Sequence, residues 1–136
     1  MKTIYLQFDG YWLELGEAEI SGQSGIYCVF TCEHNFSDNS VILHKLLYIG
    51  ESGDVNDRHQ NHERLPDWEA ALEPGEVLCY SFANVEPDDR KRAEAALIFK
   101  HKPPKNTKNV KHFDYPKTEI FLLGETELLV DYFTVP

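Results

Sequence analysis

The sequence predicts an α+β fold in one domain, residues 1–136, on three observations. Runs rich in β-branched and aromatic residues at 25–32, 41–49 and 76–83 have the length of buried strands. Two stretches with helix start and stop signals accompany them, one opening at the turn around Gly50 to Asp54 and one running from Glu86 to Pro103. Further apolar runs at both ends, 1–20 and 117–136, have the size of accessory hairpins. With 136 residues, 42% apolar and 12% aromatic, the chain suits one core of its own and leaves no room for a second full domain.

In the first run, Thr3 to Phe8 and Tyr11 to Leu15 flank Asp9-Gly10, a strong two-residue turn signal, so 1–20 is expected to fold as a hairpin. The linker Ser21-Gly22-Gln23-Ser24 leads into the strand Gly25 to Cys32. Its period-two alternation sets Tyr27, Val29 and Thr31 on one face and Ile26, Cys28, Phe30 and Cys32 on the other. A polar loop at 33–40 follows, where His34 fits a solvent-exposed loop histidine. After the strand at 41–49, Gly50 and Gly53 supply a permissive turn, and Ser52 or Asp54 is a natural N-cap.

The helix expected next has Val55, Arg58, His62 and Leu65 at i, i+3, i+7 and i+10 on one stripe. Burying either cation in an apolar core is costly without a partner, so the stripe should open onto a polar pocket. Arginine can hold a phosphate there by two parallel hydrogen bonds, and histidine can move a proton near neutral pH. The plain alternative pairs Arg58 with a carboxylate and has His62 cap a carbonyl. His59 and Arg64 fall off the stripe and fit surface positions.

Pro66 to Leu72 suggests a short helix anchored by Trp68. The strand at 76–83 sets Val77, Cys79, Ser81 and Ala83 against Leu78, Tyr80 and Phe82. Acids and a proline at Glu86-Pro87-Asp88-Asp89 open the next helix, which Pro103-Pro104 ends after about His101. Glu94 precedes Leu97 by three and Ile98 by four, so a carboxylate stands in the apolar stripe. It calls for a cation, either Arg90 at i−4 or a metal ion. Apolar runs at 120–123 and 128–133, around Gly124-Glu125-Thr126, suggest the C-terminal hairpin.

Gly25-Ile26-Tyr27 and Tyr48-Ile49-Gly50, on successive strands, resemble the signature of the GIY-YIG nuclease family. The resemblance covers about 25–106 and matches the family's Ser, Arg, His, Glu and Asn with Ser52, Arg58, His62, Glu94 and Asn106. Twenty residues separate Tyr27 from Tyr48, more than the family commonly uses. The resemblance implies a small three-stranded antiparallel central sheet flanked by helices, extended here by the terminal strands or hairpins. It also implies a metal-dependent endonuclease. Tyr27, assisted by Tyr48 or His62, would draw a proton from the attacking water, while Arg58 neutralises charge on the phosphoryl oxygens. Glu94 would hold one Mg²⁺ or Mn²⁺, with Asn106 and Ser52 at the substrate.

Charge pulls against this, because 13 basic residues against 23 acidic ones leave −10, and a polyanion repels a polyanion. Between Phe99 and Thr118, however, Lys100, Lys102, Lys105, Lys108, Lys111 and Lys117 face one acid, Asp114. That strip follows the Glu94 helix and contains Asn106, where a phosphate backbone would be met, with Lys102, Lys105 and Lys108 the nearest cations. No separate sequence-reading module is present, so recognition of DNA is expected to be weak, structure-directed or supplied by a partner protein. Cys28, Cys32 and Cys79 fit reduced, buried thiols. Without an 18-residue apolar run or signal-peptide features, a soluble, cytoplasmic protein with no membrane partner is expected. The alternative is a catalytically silent module of this type that binds nucleic acid or protein.

Overall fold

The computed structural model describes residues 1–14, 24–53 and 63–136. Among the described residues six strands form one mixed sheet: β1 (Lys2–Trp12), β2 (Gly25–Asn35), β3 (Ser40–Ser52), β4 (Val77–Asn84), β5 (Thr118–Gly124) and β6 (Tyr132–Val135). Two helices are described, α1 (Leu65–Glu69) and α2 (Pro87–His101). The spatial order is β3-β2-β4-β1-β5-β6. Only β1 and β5 run parallel; the other neighbours are antiparallel.

This corrects the expected fold class. The central sheet is not a small three-stranded one flanked by helices: 46% of the described residues are strand and 18% helix, and the sheet curls as a half-barrel. The N-terminal hairpin is replaced by one continuous strand, in which Asp9 pairs with Phe82 and Gly10 with Ser81. A Cβ on Gly10 would lie 3.2 Å from the Tyr80 carbonyl oxygen, so the glycine serves a close approach of strands beside an irregular register rather than a reversal of the chain. Ile4, Leu6 and Phe8 alternate into the core and meet Ile120, Leu122 and Phe133 of β5 and β6. Burial of that stripe along the whole strand outweighs a local turn preference.

Both faces of the sheet are buried near its β2 centre. On one, α2 packs Ala93, Ala96, Leu97 and Ile98 against Ile26, Cys28, Phe30 and Ile49. On the other, Trp68 of α1 packs on Tyr27, Val29, Tyr48, Tyr80 and Phe82. Pro87 lies in the first turn of α2 and Asp88 and Asp89 complement its positive end. The helix stops at Lys102, which takes a left-handed conformation and donates its N–H to the Ile98 carbonyl at 2.7 Å.

Candidate active site

The two tripeptides meet through strand register. Tyr27 on β2 stands opposite Gly50 on β3 and Phe82 on β4. A Cβ on Gly50 would fall 2.4 Å from both Cζ and Oη of Tyr27, so the missing side chain is the slot in which the phenol lies. Gly25 makes the same room for the Phe82 ring, 2.3 Å from where its Cβ would be. Tyr27 is fully buried, with the Tyr48 and Trp68 ring centroids at 6.2 and 6.4 Å. Trp68 lies 5.3 Å from Tyr48 and closes over the pair.

Tyr48 stands nearer to solvent and lines a narrow cleft of about 50 Å³ with Arg64, Glu94, Ile98 and residues 106–109. That is room for a few waters or a partly hydrated ion. Because β3 is the terminal strand, groups from both faces of the sheet reach this cleft around its edge. Glu94, half-buried, comes from α2 on one face, and Tyr48 from the other.

Asn106 holds these parts together. Its Oδ1 accepts from the Ile49 N–H and its Nδ2 donates to the Ile49 carbonyl, both at 2.9 Å. The Lys105 N–H donates to the Leu47 carbonyl at 3.0 Å. The segment leaving α2 therefore covers the free edge of β3 and fixes the Glu94 helix to the strand bearing Tyr48. With one Nδ2 hydrogen still available, Asn106 faces the cleft as a staple first and a donor second.

Arg90, the possible i−4 partner of Glu94, lies elsewhere. Its Nε is 3.7 Å from Glu51 Oε1, and Nη1 reaches Ser24 Oγ at 3.4 Å. The guanidinium occupies the space over Gly53, where an added Cβ would fall 2.1 Å from Arg90 Nη1, and the φ of +148° there favours glycine. Ser52, buried at the end of β3, sits opposite Gly25.

Arg58 and His62 lie outside the described residues. Among the lysines, Lys108 borders the cleft, whereas Lys102 folds back to the Val110 carbonyl and over the Phe99 ring, 4.1 Å from its centroid. Residues 106–112 and Asp114 line a neighbouring open concavity of about 650 Å³, which adds Lys111 and His112 to the basic surface. His34, at the tip of the β2–β3 hairpin, bonds Asn39 and packs on Phe36.

Sequence reasoning placed Arg64 at the surface. Its guanidinium carbon instead lies 5.1 Å from the centroid of the Tyr48 ring, and the side chain is half-buried in the cleft wall. The signal that could have found it is the Arg64–Trp68 spacing of four, which places both on one helical face. Comparison with protein-family models, curated proteins and solved structures finds no match.

Proposed function

We propose that this chain is a metal-dependent phosphodiester hydrolase of nucleic acid, a GIY-YIG-type endonuclease acting first on DNA with low or structure-directed specificity. The observation that carries this reading is the meeting of Glu94 and Tyr48 in one cleft although they project from opposite sides of the sheet. A half-buried carboxylate, a phenol and two cations, Arg64 and Lys108, share a space sized for water and phosphoryl oxygens.

Glu94 offers a hard oxygen suited to Mg²⁺ or Mn²⁺. No cluster of three ligating side chains exists among the described residues, so the remaining ligands would be water and phosphate. A bound ion would neutralise charge on the phosphoryl oxygens. Tyr48 orients the attacking water at the cleft mouth, with Tyr27 behind it and His62 and Arg58 the further groups implied by the resemblance. A phenol of reference pKa about 10 is a weak base at neutral pH, so it works only where cations favour its ionised form. Lys108, Lys111 and the adjoining concavity would carry the DNA backbone past the cleft, offsetting the acidity of the rest. The proposed setting is the cytoplasm, with a partner protein supplying specificity. No helix among the described residues is long and apolar enough to cross a membrane.

One observation favours the silent-module reading: Tyr27 is 0% exposed beneath Trp68, so water reaches its hydroxyl only if α1 shifts. Incubating the protein with plasmid and single-stranded DNA, with Mg²⁺ or Mn²⁺ and then with chelator, separates the two. Glu94→Ala should lower metal-dependent cleavage by about 10²-fold or more with thermal stability retained. Undiminished cleavage by that variant overturns the site, and no cleavage by the wild type favours the silent module.

A further inference from the structure

We infer that the loop 102–117 binds single-stranded DNA, seating one unpaired base in the concavity at residues 106–114 and the neighbouring phosphates on Lys108 and Lys111. The inference deepens the hydrolase reading, on which it rests for DNA as the polyanion, but it draws on neither the two tripeptides nor the state of Glu94.

The first argument is that the loop is long and nevertheless fixed. Between His101 and Thr118 the chain runs sixteen residues without helix or strand. Loops beyond about 12–15 residues are uncommon in compact domains and are usually binding loops or disordered ones. This one is tied at three places. The Lys105 N–H and the Asn106 side chain hold its start to Leu47 and Ile49 of β3. Lys102 Nζ donates to the Val110 carbonyl across its middle. At its end, Arg92 of α2 donates from Nε to Thr118 Oγ1 at 2.8 Å and from Nη2 to the Pro116 and Lys117 carbonyls at 3.1 and 3.2 Å. Phe113 packs between Phe99 and Tyr115, with ring centroids 6.2 and 5.6 Å away. The half-buried Phe113 and Tyr115 thus form an aromatic base, while Lys111, His112 and Asp114 are left exposed. A surface already placed in this way loses less freedom when a ligand arrives.

The second argument is charge. Lys102, Lys105, Lys108, Lys111 and Lys117 meet one acid, Asp114, so the loop is +4 in a chain whose other residues sum to −14. Among the described residues no ion pair occupies Lys105, Lys108, Lys111 or Lys117. A polyanion therefore meets net repulsion from the remainder and attraction here.

The third argument is shape. Among the described residues the concavity of about 650 Å³ is lined by 106–112 and Asp114. Pockets of roughly 300–1,000 Å³ suit small ligands, so this one admits a base with its sugar and leaves a paired duplex outside. Lys108 and Lys111 supply cations for phosphate, and His112 a ring on which a base can stack. Asn109 and Asp114 add hydrogen-bonding groups for a base edge. A carboxylate would repel a phosphate but accepts from the amino group of a base. The Watson–Crick edge it would meet is free only in an unpaired nucleotide.

The test uses the full chain, chelator to prevent turnover, and two fluorescein-labelled probes, a single-stranded DNA oligonucleotide and the same strand as a blunt duplex. Anisotropy gives Kd across a salt series, and the same proteins are assayed for Tm and for cleavage with Mg²⁺ or Mn²⁺. The wild type should bind the single strand about tenfold or more tightly than the duplex. In the Lys108→Gln, Lys111→Gln double variant the slope of log K against log salt should fall by about 1.4, at about 0.7 for each phosphate contact on a single strand. His112→Ala should weaken binding about fivefold or more with the slope kept, and His112→Phe should restore it, because a stacked base needs a ring. A merely structural role would lower Tm and leave the slope unchanged. Wild-type Kd in the double variant or in His112→Ala overturns the inference, as does a wild type that binds duplex equally well or binds no strand. Loop-dependent binding by a wild type that never cleaves sustains this inference and sinks the hydrolase reading. Cleavage that the loop variants leave unchanged, with unchanged Kd, does the reverse. Should the double variant fail to fold, the contrast between His112→Ala and His112→Phe decides the matter.

Discussion

Gly50→Ala isolates the physical reason for the second tripeptide. Its new methyl would sit 2.4 Å from Tyr27 Cζ and Oη, where contact ordinarily begins near 3.4 Å. The shortfall is about 1 Å against a buried ring. That ring has little freedom to yield, with Trp68 and Tyr48 packed beside it and Phe82 opposite on the neighbouring strand. Overpacking of this kind costs about 1–3 kcal/mol, and a ring without an escape route places the variant near the upper end. For a chain of this size that is a fall in Tm of roughly 8–12 °C. The decisive comparison is the Tyr27→Ala background. With the ring gone, alanine in a strand is better than glycine by about 0.5–1 kcal/mol, so Gly50→Ala should change sign and become neutral or stabilising. Urea titrations of wild type, both single variants and the double variant give a coupling energy expected at about 3 kcal/mol. If Gly50→Ala costs the same in both backgrounds, or less than about 0.5 kcal/mol in the wild type, the slot argument is wrong.

Two further outcomes follow from the same geometry. Asn106→Asp cannot donate to the Ile49 carbonyl and faces it with a carboxylate, so stability should fall by about 1–3 kcal/mol in urea titrations; an unchanged midpoint would mean that the staple contributes nothing. Two histidines should tilt the pH profile in opposite directions. His101 Nδ1–H donates to the Leu97 carbonyl and Nε2 accepts from the Val130 N–H, an arrangement open only to the neutral ring, and burial holds its pKa below the usual 6.5. Its contribution is complete above pH 6.5 and is lost as pH falls through the depressed folded value. The hydrogen bond to Glu76 raises the pKa of His44, so that contribution is complete below pH 6.5 and is lost as pH rises through the raised folded value. Stability measured from about pH 5 to pH 9 should lose its acid dependence in His101→Leu and its alkaline dependence in His44→Gln; unaltered profiles would refute the assignments.

What the sequence made legible, and what it hid, divides along the range of the interactions. Period-two alternation in residues 25–32 and 76–83 was enough to assign both faces of β2 and β4, because burial on each side leaves its mark within a few residues. Trp68 as an anchor, and α2 between its acids and its prolines, were equally local. The N-terminal strand was not. Asp9-Gly10 signals a turn to its neighbours, but β1 answers to β4 and to β5, whose first residue, Thr118, pairs with Lys2 in parallel register. No local pattern announces a partner 116 positions away. The same limit governs the site. Glu94 could be singled out as a carboxylate in an apolar stripe, yet its meeting with Tyr48 depends on β3 being the last strand of the sheet, which is a property of strand order. Arg64 was missed for a related reason: the face it presents is fixed by the turn at Arg64–Trp68 and by the ring of Tyr48, sixteen residues upstream. Chemistry-bearing residue types are local information; the edge around which they gather is global. The variants that probe this site most directly are therefore those that loosen the β3 edge, Asn106 foremost, without touching a reacting group.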